Sequence, residues 1–461
     1  MQSIAFDPAD AKAALGQLPQ TAAVFALYGA DAKDEPYIGR TPNLRGRLER
    51  LLQPSAKHPR RLQLAGRVRR IEWRRTGSEF ESLLAQFSLL EKVFGSAKAL
   101  ERMHLRAPAF VRYLGGNPYP RIVVTNKPSQ READWAYGPF ASRAAAERFA
   151  EEALKLFLLR RCTFELEPDP SYPGCVYSEM KMCLAPCYKG CSDERYAEEA
   201  AAVEEFLATR GESKLVVLKA EREKASAELE FEAAAALHAQ VQKVESVRAL
   251  APELVRPLSR LRAVVLQTAV TTDEVAVFLF DEGRLRGPVA FSTLGMRIQN
   301  ERSGSSSLFA QPVGVEAIPE AGASDQGSGV RDQGSEIRDQ GAASREQGVD
   351  DKETREHGNE GAALRVWQSP KEEGVTAKPA RGMLEARMEA VLAELARDAE
   401  PASATERQGH LALLKRWYYR PEVKRVGEIC FPDAEGHWPL KSMLRSVGRV
   451  AAKSLISPDA Q

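Results

Sequence analysis

The chain lacks the features that mark a membrane or secreted protein. Its 461 residues contain no stretch of 18 or more apolar residues, so we expect no membrane span and no membrane partner. Residues 1–20 show no apolar core flanked by basic residues, and therefore no signal-peptide pattern. A disulfide framework belongs to short, secreted, cysteine-dense chains, and this chain is long with only six cysteines. Together these absences predict a cytoplasmic protein, and the length predicts two to four domains at roughly 150 residues each.

Five of the six cysteines lie in one short segment, and Cys430 is the only one elsewhere. Thiolates gathered in this way in a reducing compartment usually bind a metal, because soft cations gain most from sulfur ligands. The spacing does not separate an iron–sulfur cluster from zinc, since both accept four thiolates. The segment therefore predicts a structural metal site, built from some of Cys162, Cys175, Cys183, Cys187 and Cys191.

Overall charge gives no sign of a polyanionic partner, because 65 Lys and Arg residues nearly balance 64 Asp and Glu residues. The balance is not kept locally. Residues 40–75 hold twelve basic residues against Glu49 and Glu72. Clustered arginines suit phosphate recognition, although such a block can also be an ordinary solvated face. If the block binds DNA, the candidates outside any active site are Arg45, Arg50, Arg60 and Arg61.

The fold class predicted from hydrophobic periodicity and turn residues is α+β and multidomain. Two paired strands and two amphipathic helices form a small α/β domain at 18–105, followed by connecting strands and a helix at 106–160. The cysteine-rich segment covers 161–193. A helical hairpin covers 194–250, with a break expected near Arg210–Gly211. A C-terminal α+β module at 256–300 and 379–455 is split by residues 301–378. That polar, Gly-, Ser- and Gln-rich insert repeats Asp-Gln-Gly every seven residues and is predicted to be disordered.

An ordered set of motifs resembles a known family of DNA-repair nucleases. Tyr37-Ile38-Gly39-Arg40 with the helix at 43–48 resembles the GIY-YIG nuclease signature. The sequences at 137–140, 159–162 and 183–187 (Cys-Leu-Ala-Pro-Cys) resemble the UvrC-type subunit of the bacterial excinuclease. Residues 225–234 are similar to that family's UVR helical hairpin. The resemblance covers roughly residues 20–250. It implies nucleotide excision repair, with DNA and a UvrB-like helicase as partners.

The resemblance also implies catalytic roles in the first domain. Tyr37 would lie near the attacking water, Arg40 would replace the usual phosphate-binding lysine, and Arg47 would be the arginine of the helix. One acidic residue would hold a single Mg²⁺ or Mn²⁺ ion, which would supply positive charge to the oxygens of the phosphate in the transition state.

Three positions depart from the pattern. Phe25 stands where the first tyrosine is expected, Phe110 lies near the expected asparagine, and Gln86 aligns with the metal-binding glutamate. A neutral amide is a poor substitute for the carboxylate that a hard cation prefers. Glu79 is seven positions earlier, about 10 Å along the helix, which is too far to replace it. We therefore expect metal-dependent cleavage to be weakened or lost. An active, single-incision endonuclease is the alternative.

The remaining implied sites are a metal centre and a docking site. The family positions thought to hold a [4Fe–4S] cluster map onto Cys162, Cys175, Cys183 and Cys187, with zinc as the alternative and Cys191 as an extra thiol. In the hairpin, Phe231 and Glu232 match the residues that contact the helicase, whereas His238-Ala239 departs from the family's Arg-Asp. After the insert, Glu428 to Phe431 with Asp433 and His437 resembles a second nuclease only faintly, and we attribute that likeness to chance.

Overall fold

Three four-stranded sheets, all antiparallel and combined with helices, make up the architecture. The computed structural model describes residues 1–31, 33–52, 64, 66–294, 296, 378–397 and 402–456. The predicted disordered insert lies outside the described residues apart from its last residue, and so do the candidate DNA-binding residues Arg60 and Arg61. The mixed α and β composition predicted from the sequence is confirmed.

The first sheet has the order β1-β4-β2-β3. Its elements, in chain order, are β1 (Gln2–Ala5), α1 (Ala11–Gly16), β2 (Ala23–Tyr28), β3 (Tyr37–Thr41), α2 (Leu44–Leu52), β4 (Arg70–Arg75), α3 (Glu79–Phe94) and α4 (Ser96–Arg102). Helix α2 buries Leu44, Leu48 and Leu52, which recur every four residues and so share one face. Helix α3 begins after Ser78, whose hydroxyl accepts a hydrogen bond from the Glu81 amide. The sheet includes β1, which precedes the boundary expected at residue 18.

The strands of the middle sheet precede the cysteine-rich segment in the chain, and helices lie before, within and after that segment. Its strands β5 (Ala109–Tyr113), β6 (Ile122–Thr125) and β7 (Ala136–Phe140) are followed by α5 (Arg143–Leu154), α6 (Val176–Glu179) and α7 (Asp193–Ala208). Side chains of β5, α5 and α7 share one core, which contains Val111, Phe149 and Phe206. Helix α7 therefore packs with this sheet and is not an arm of the hairpin.

The hairpin consists of α8 (Glu212–Ala227) and α9 (Phe231–Ala249). The break expected near Arg210–Gly211 is present, but it separates α7 from α8, so the segment holds three helices and not two arms. The turn of the hairpin falls at residues 228–230, where Leu229 adopts a left-handed φ of 62°. Neither glycine nor proline marks this turn, so the sequence carries no local signal for it. Strand β8 (Arg256–Pro257) then returns to the middle sheet, whose order is β6-β5-β7-β8.

The third sheet contains strands from both before and after the insert in the chain. Strands β9 (Ala263–Thr268), β10 (Glu274–Asp281) and β11 (Arg284–Ser292) precede the insert, and α10 (Lys378–Ala396), α11 (Ala404–Tyr418), β12 (Glu428–Cys430) and α12 (Leu440–Ile456) follow it. The strand order is β11-β10-β9-β12. Val264, Leu266 and Val277 of the sheet form one core with Met388 of α10 and Val447 of α12.

Helix α3 links the first sheet to the third. Phe80 packs edge-on against Phe278 of β10 at 5.1 Å between ring centroids, and its ring lies 5.3 Å from that of Trp417 in α11. A β-carbon on Gly77, just before α3, would lie 2.2 Å from the backbone of Ala269, so this approach requires glycine. Truncation of a fully buried phenylalanine costs about 3–5 kcal/mol, so Phe80 fixes α3 firmly against the third sheet.

Candidate functional site

A cleft lies at the free edge of the first sheet, where β3 faces α3. Tyr37 and Gln86 both line it, as the motif comparison predicts for residues of one site. The only carboxylate among its described lining residues is Glu35, which forms an ion pair with Arg102 at 2.6 Å. The other lining residues are Pro36, Ile38, Leu64 and Leu90. The cleft thus has a tyrosine and a neutral amide among its described lining residues, and its carboxylate already has a cationic partner.

Alternate residues of β3 point to opposite faces of the sheet. Tyr37 packs with the core that holds Phe25, whereas Ile38 packs with the core of α3. On the same face as Ile38, Arg40 reaches α3 and pairs with Glu79 at 3.4 Å. The Tyr37 side chain thus lies on the face opposite α3, although Tyr37 and Gln86 both line the cleft, and Arg40 is near Glu79. Glu79 therefore belongs to the other end of α3 and does not replace the missing carboxylate in the cleft.

Glu79 also binds Arg420, which follows α11 in the C-terminal module. The two guanidinium nitrogens of Arg420 donate to the two Glu79 oxygens at 2.6 and 2.7 Å. These hydrogen bonds, together with the charges of Arg420 and Arg40, hold the pKa of Glu79 below its usual range, although partial burial opposes the shift. Sequence reasoning missed this pair, because a contact between residues 341 positions apart leaves no local pattern.

The arginines of α2 do not all have free side chains. Arg45 donates through Nε to the Leu18 carbonyl at 2.7 Å, and Arg50 donates to the Gly46 carbonyl at 2.9 Å. Arg47 is half-buried, and no partner for its guanidinium occurs within the described residues. Of the α2 arginines, Arg47 is therefore the most available for an external phosphate.

The two phenylalanines at departing positions are both core residues. Phe25 is 1% exposed, and the far edge of its ring would lie 2.9 Å from a β-carbon on Gly39. Phe110 is also 1% exposed and packs in the core of α3 and the third sheet, and it is not among the described residues that line the cleft. Neither side chain offers a polar atom to the site.

The five clustered cysteines converge on one region, all as free thiols. Burial, helped by the charges of Cys162, Cys175 and Cys187, raises the pKa of the Cys183 thiol to about 11. Burial also raises the pKa of the Cys187 thiol, with contributions from Cys175 and Cys162. These mutual influences bring together the four thiols that the resemblance selects. Cys191 lies close enough to Cys187 to be influenced by its charge.

A buried arginine adjoins these thiols. Arg160 is 1% exposed, and its Nε donates to the Tyr119 carbonyl at 2.9 Å. Its Nη1 donates to the Phe164 carbonyl at 3.0 Å and lies 3.5 Å from the sulfur of Cys162. Its Nη2 is buried without a hydrogen-bond partner in the described structure. A buried cation costs free energy unless it is paired, so this arrangement suits an anionic group held by the cysteines.

The tip of the α8–α9 hairpin exposes apolar side chains. Phe231 is 68% exposed and Leu229 is 70% exposed, next to the exposed Glu232. Large apolar side chains left in solvent at a turn are typical of a protein contact surface. Within the described residues, no helix is both long enough and apolar enough to cross a membrane.

Comparison with known proteins identifies a family match for the segment that contains the cysteines. Residues 110–206 match the UvrC/Cho excinuclease middle domain, a range that runs from β5 through the cysteines to α7. The chain is 29% identical over 212 residues to the UvrABC system protein C of Alcanivorax borkumensis, a match that covers 46% of this chain and 34% of that relative. It is 27% identical over 281 residues to the protein of the same name from Ruminiclostridium cellulolyticum, with 60% and 45% covered. The Brucella suis protein is 29% identical over 287 residues, with 60% and 46% covered.

These matches span less than half the length of the curated relatives. No solved structure matches the chain. The resemblance predicted from the motifs is nevertheless confirmed: over 46–60% of its length the chain is similar to proteins named UvrABC system protein C, and part of it matches the UvrC/Cho excinuclease middle domain.

Proposed function

We propose that this chain acts in nucleotide excision repair as a UvrC-like protein that binds DNA and a UvrB-like helicase without efficient metal-dependent cleavage. The observation that carries the proposal is Gln86, which lies in the cleft beside Tyr37 where the resemblance expects the metal-binding glutamate. Mg²⁺ and Mn²⁺ bind such sites through charged oxygens. Here the amide is neutral, and Glu35 is paired with Arg102.

A gain-of-function variant tests the missing ligand. We expect the wild-type protein not to nick lesion-containing duplex in the presence of UvrA, UvrB and Mn²⁺, and Gln86→Glu to gain metal-dependent nicking. Ser88→Glu is the matched control, because it adds the same charge at an exposed position of the same helix, outside the cleft lining. A Gln86→Glu protein that binds DNA but cuts no better than Ser88→Glu would show that Gln86 is not the limiting residue.

The alternative is an active single-incision endonuclease, which the presence of Tyr37, Arg40 and Arg47 favours. It predicts that the wild-type protein nicks DNA and that Tyr37→Phe, which removes only the hydroxyl, abolishes nicking. That pair of results would refute the proposal that the protein does not cleave DNA efficiently.

We propose that DNA binds the basic residues of β3 and α2 in the first domain. Arg47 contributes a guanidinium without a described partner, and Arg40 extends from β3. Each phosphate contact releases about one counterion, so Arg47→Ala should lower the slope of log affinity against log salt by about 1. Arg143→Ala, whose arginine pairs with Glu147 on α5, should leave the slope unchanged. Equal slopes for the wild type and Arg47→Ala would exclude Arg47 from the contact.

For the cysteines we propose a [4Fe–4S] cluster held by Cys162, Cys175, Cys183 and Cys187. In the described part of the chain, the two groups of three candidate ligand atoms lying within 4.8 Å of one another involve no cysteine. No three of these thiol sulfurs therefore lie within 4.8 Å of one another, whereas sulfurs around one zinc ion lie about 3.8 Å apart, given Zn–S bonds of about 2.3 Å. When bound, the cluster would supply negative charge beside Arg160 and a covalent link between the middle sheet and α7. A brown protein with iron and sulfide in equal amounts is expected, whereas a colourless protein loaded with zinc would contradict the cluster.

The helicase contact is proposed to lie at the hairpin tip, where Phe231 and Glu232 are exposed. Phe231→Ala should weaken binding to a UvrB-like helicase at least tenfold, as expected for an aromatic anchor. Val217→Ala is the control, because Val217 is an exposed apolar residue on the body of the same hairpin. If both variants bind equally well, the tip is not the docking site.

A further inference from the structure

Helices α3 and α11 bring three potential metal ligands together away from the cleft and the cysteines. Glu91 of α3 and Glu406 and His410 of α11 each offer one ligand atom, and these atoms lie within 4.8 Å of one another. Glu406 and His410 are four residues apart on one helix, so both side chains project from the same face. Two carboxylates and an imidazole are donors that zinc binds readily.

The packing of the two helices explains this convergence. Phe87 and Glu91 are also four residues apart on α3, and the Phe87 ring meets the His410 ring edge-on at 5.3 Å between centroids. Gly409 allows this approach, since a β-carbon there would lie 2.3 Å from the Phe87 ring. The Phe87–Glu91 face of α3 therefore opposes the Glu406–His410 face of α11.

His410 is an unusual occupant of this interface. It is 4% exposed, yet its Nδ1 has no hydrogen-bond partner in the described structure. Its Nε2 points toward Glu406 at 3.9 Å, which is longer than a hydrogen bond. A buried imidazole without a partner loses its interaction with water and gains nothing in return, unless a ligand is bound there.

The protonation state of His410 also suits a metal. Burial, together with the charges of Arg284 and Arg286, lowers the pKa of His410 to about 4. The charge of Glu406 opposes this shift. The imidazole is therefore neutral near pH 7, with a lone pair free for coordination.

Both carboxylates are held in place by neighbours. Glu91 accepts a hydrogen bond from the Ser96 hydroxyl at 2.5 Å, and Glu406 accepts from Arg284 at 2.7 and 2.8 Å. Ligating carboxylates in metal sites are typically hydrogen-bonded in this way. Since each oxygen has more than one lone pair, neither contact uses up the carboxylate.

We propose that Glu91, Glu406 and His410 form a structural Zn²⁺ site that fastens α11, a helix of the C-terminal module, to α3. Zinc–ligand bonds of about 2.0–2.2 Å require the three atoms to close by about 1 Å, which the half-buried carboxylates can accommodate. Glu91 and Glu406 bring two negative charges, of which that of Glu406 is shared with Arg284, and a water molecule would complete a tetrahedral site. No other donor set in the described residues combines a buried, unpartnered histidine with two acids, because the second group, Asp433, Glu435 and His437, is fully exposed.

The test compares the zinc content of full-length proteins that all keep the six cysteines. Any zinc bound by the thiols is then the same in each protein and does not contribute to the difference. We expect the wild type to retain one more zinc per chain than Glu91→Gln after passage over a weak chelator. Zinc should also raise the Tm of the wild type but not that of Glu91→Gln. Asp433→Asn, at the exposed group, should behave like the wild type.

His410→Gln gives an independent check, with a zinc Kd expected at least tenfold weaker than that of the wild type. Ser96→Ala, which removes only the neighbour of Glu91, should weaken the Kd about 10–100-fold. Equal zinc content and equal Tm shifts in the wild type, Glu91→Gln and His410→Gln would overturn the site.

Discussion

Arg160 provides the sharpest test of how the cysteine cluster supports the fold. Its guanidinium is 1% exposed and donates to the carbonyls of Tyr119 and Phe164. Within the described structure, Arg160 forms no ion pair with a carboxylate, and Cys162 at 3.5 Å is its nearest potential anion. If the cysteines hold an anionic metal cluster, removing that cluster leaves a buried charge without a partner. The perturbation is therefore metal removal, carried out in the wild type and in Arg160→Met.

The expected magnitude follows from the burial. Breaking a buried ion pair by removing one partner costs about 3–5 kcal/mol, because the remaining charge is uncompensated. In Arg160→Met no charge remains, although the two carbonyls lose their donor at about 1–3 kcal/mol each whether or not metal is bound. Metal removal should therefore destabilise the wild type by about 3–5 kcal/mol more than it destabilises Arg160→Met.

Urea denaturation of the metal-loaded and metal-free forms measures this difference. Arg161→Met is the control, since Arg161 donates to the Leu154 carbonyl at 2.8 Å and is only half-buried. It should show the same metal dependence as the wild type. If metal removal costs the wild type and Arg160→Met the same free energy of unfolding, Arg160 does not balance the charge of the cluster and the reasoning fails.

Three further perturbations test the first domain and its contacts. Phe25→Tyr should lower the free energy of unfolding by about 1–3 kcal/mol, measured by urea denaturation, because the new hydroxyl enters a core position 1% exposed. Gly77→Ala should reduce Tm markedly, since its β-carbon would lie 2.2 Å from the Ala269 backbone; an unchanged Tm would disprove the close packing. Glu79→Gln should cost less than about 1 kcal/mol near pH 7, because the ion pair with Arg420 is half exposed. The pKa of Glu79 is lowered when folded, so this stabilisation is present above its usual 4.5 and is lost as the pH falls through the folded value. Urea midpoints of the two proteins should therefore converge in acid, and a constant difference would contradict the assignment.

Much of the local structure follows directly from the sequence. Strand β2 and the three strands β9, β10 and β11 occur where alternating or continuous apolar runs predict them. Helices α2 and α3 begin within one residue of the predicted starts, because leucine spacing and the Ser78 cap are local signals. The hairpin turn at Leu229 was missed, since a left-handed non-glycine residue has no signature in sequence.

The candidate sites were predictable only to the extent that a motif fixes positions. Tyr37 and Gln86 do line one cleft, although they are 49 positions apart. The contact of Arg420 with Glu79 and the meeting of His410 with Glu91 depend on how α3 packs against a segment beyond the insert. Such contacts are set by tertiary packing, and no periodicity within either helix encodes the partner.

The two proposed centres differ in how strongly folding depends on them. Gln86 is half-buried, and no hydrogen bond of its amide occurs within the described residues, so exchange with glutamate should alter stability little. Arg160 is fully buried in a network that ties the Tyr119 and Phe164 backbones to Cys162. A glutamine in place of a carboxylate at the edge of the first sheet therefore leaves the fold intact. Loss of the proposed cysteine centre would leave the buried charge of Arg160 without a partner. On these grounds we expect that cleavage can be lost while the proposed surfaces for DNA and helicase are kept. Of the two proposed centres, the one at the cysteines is the one on which we expect folding to depend.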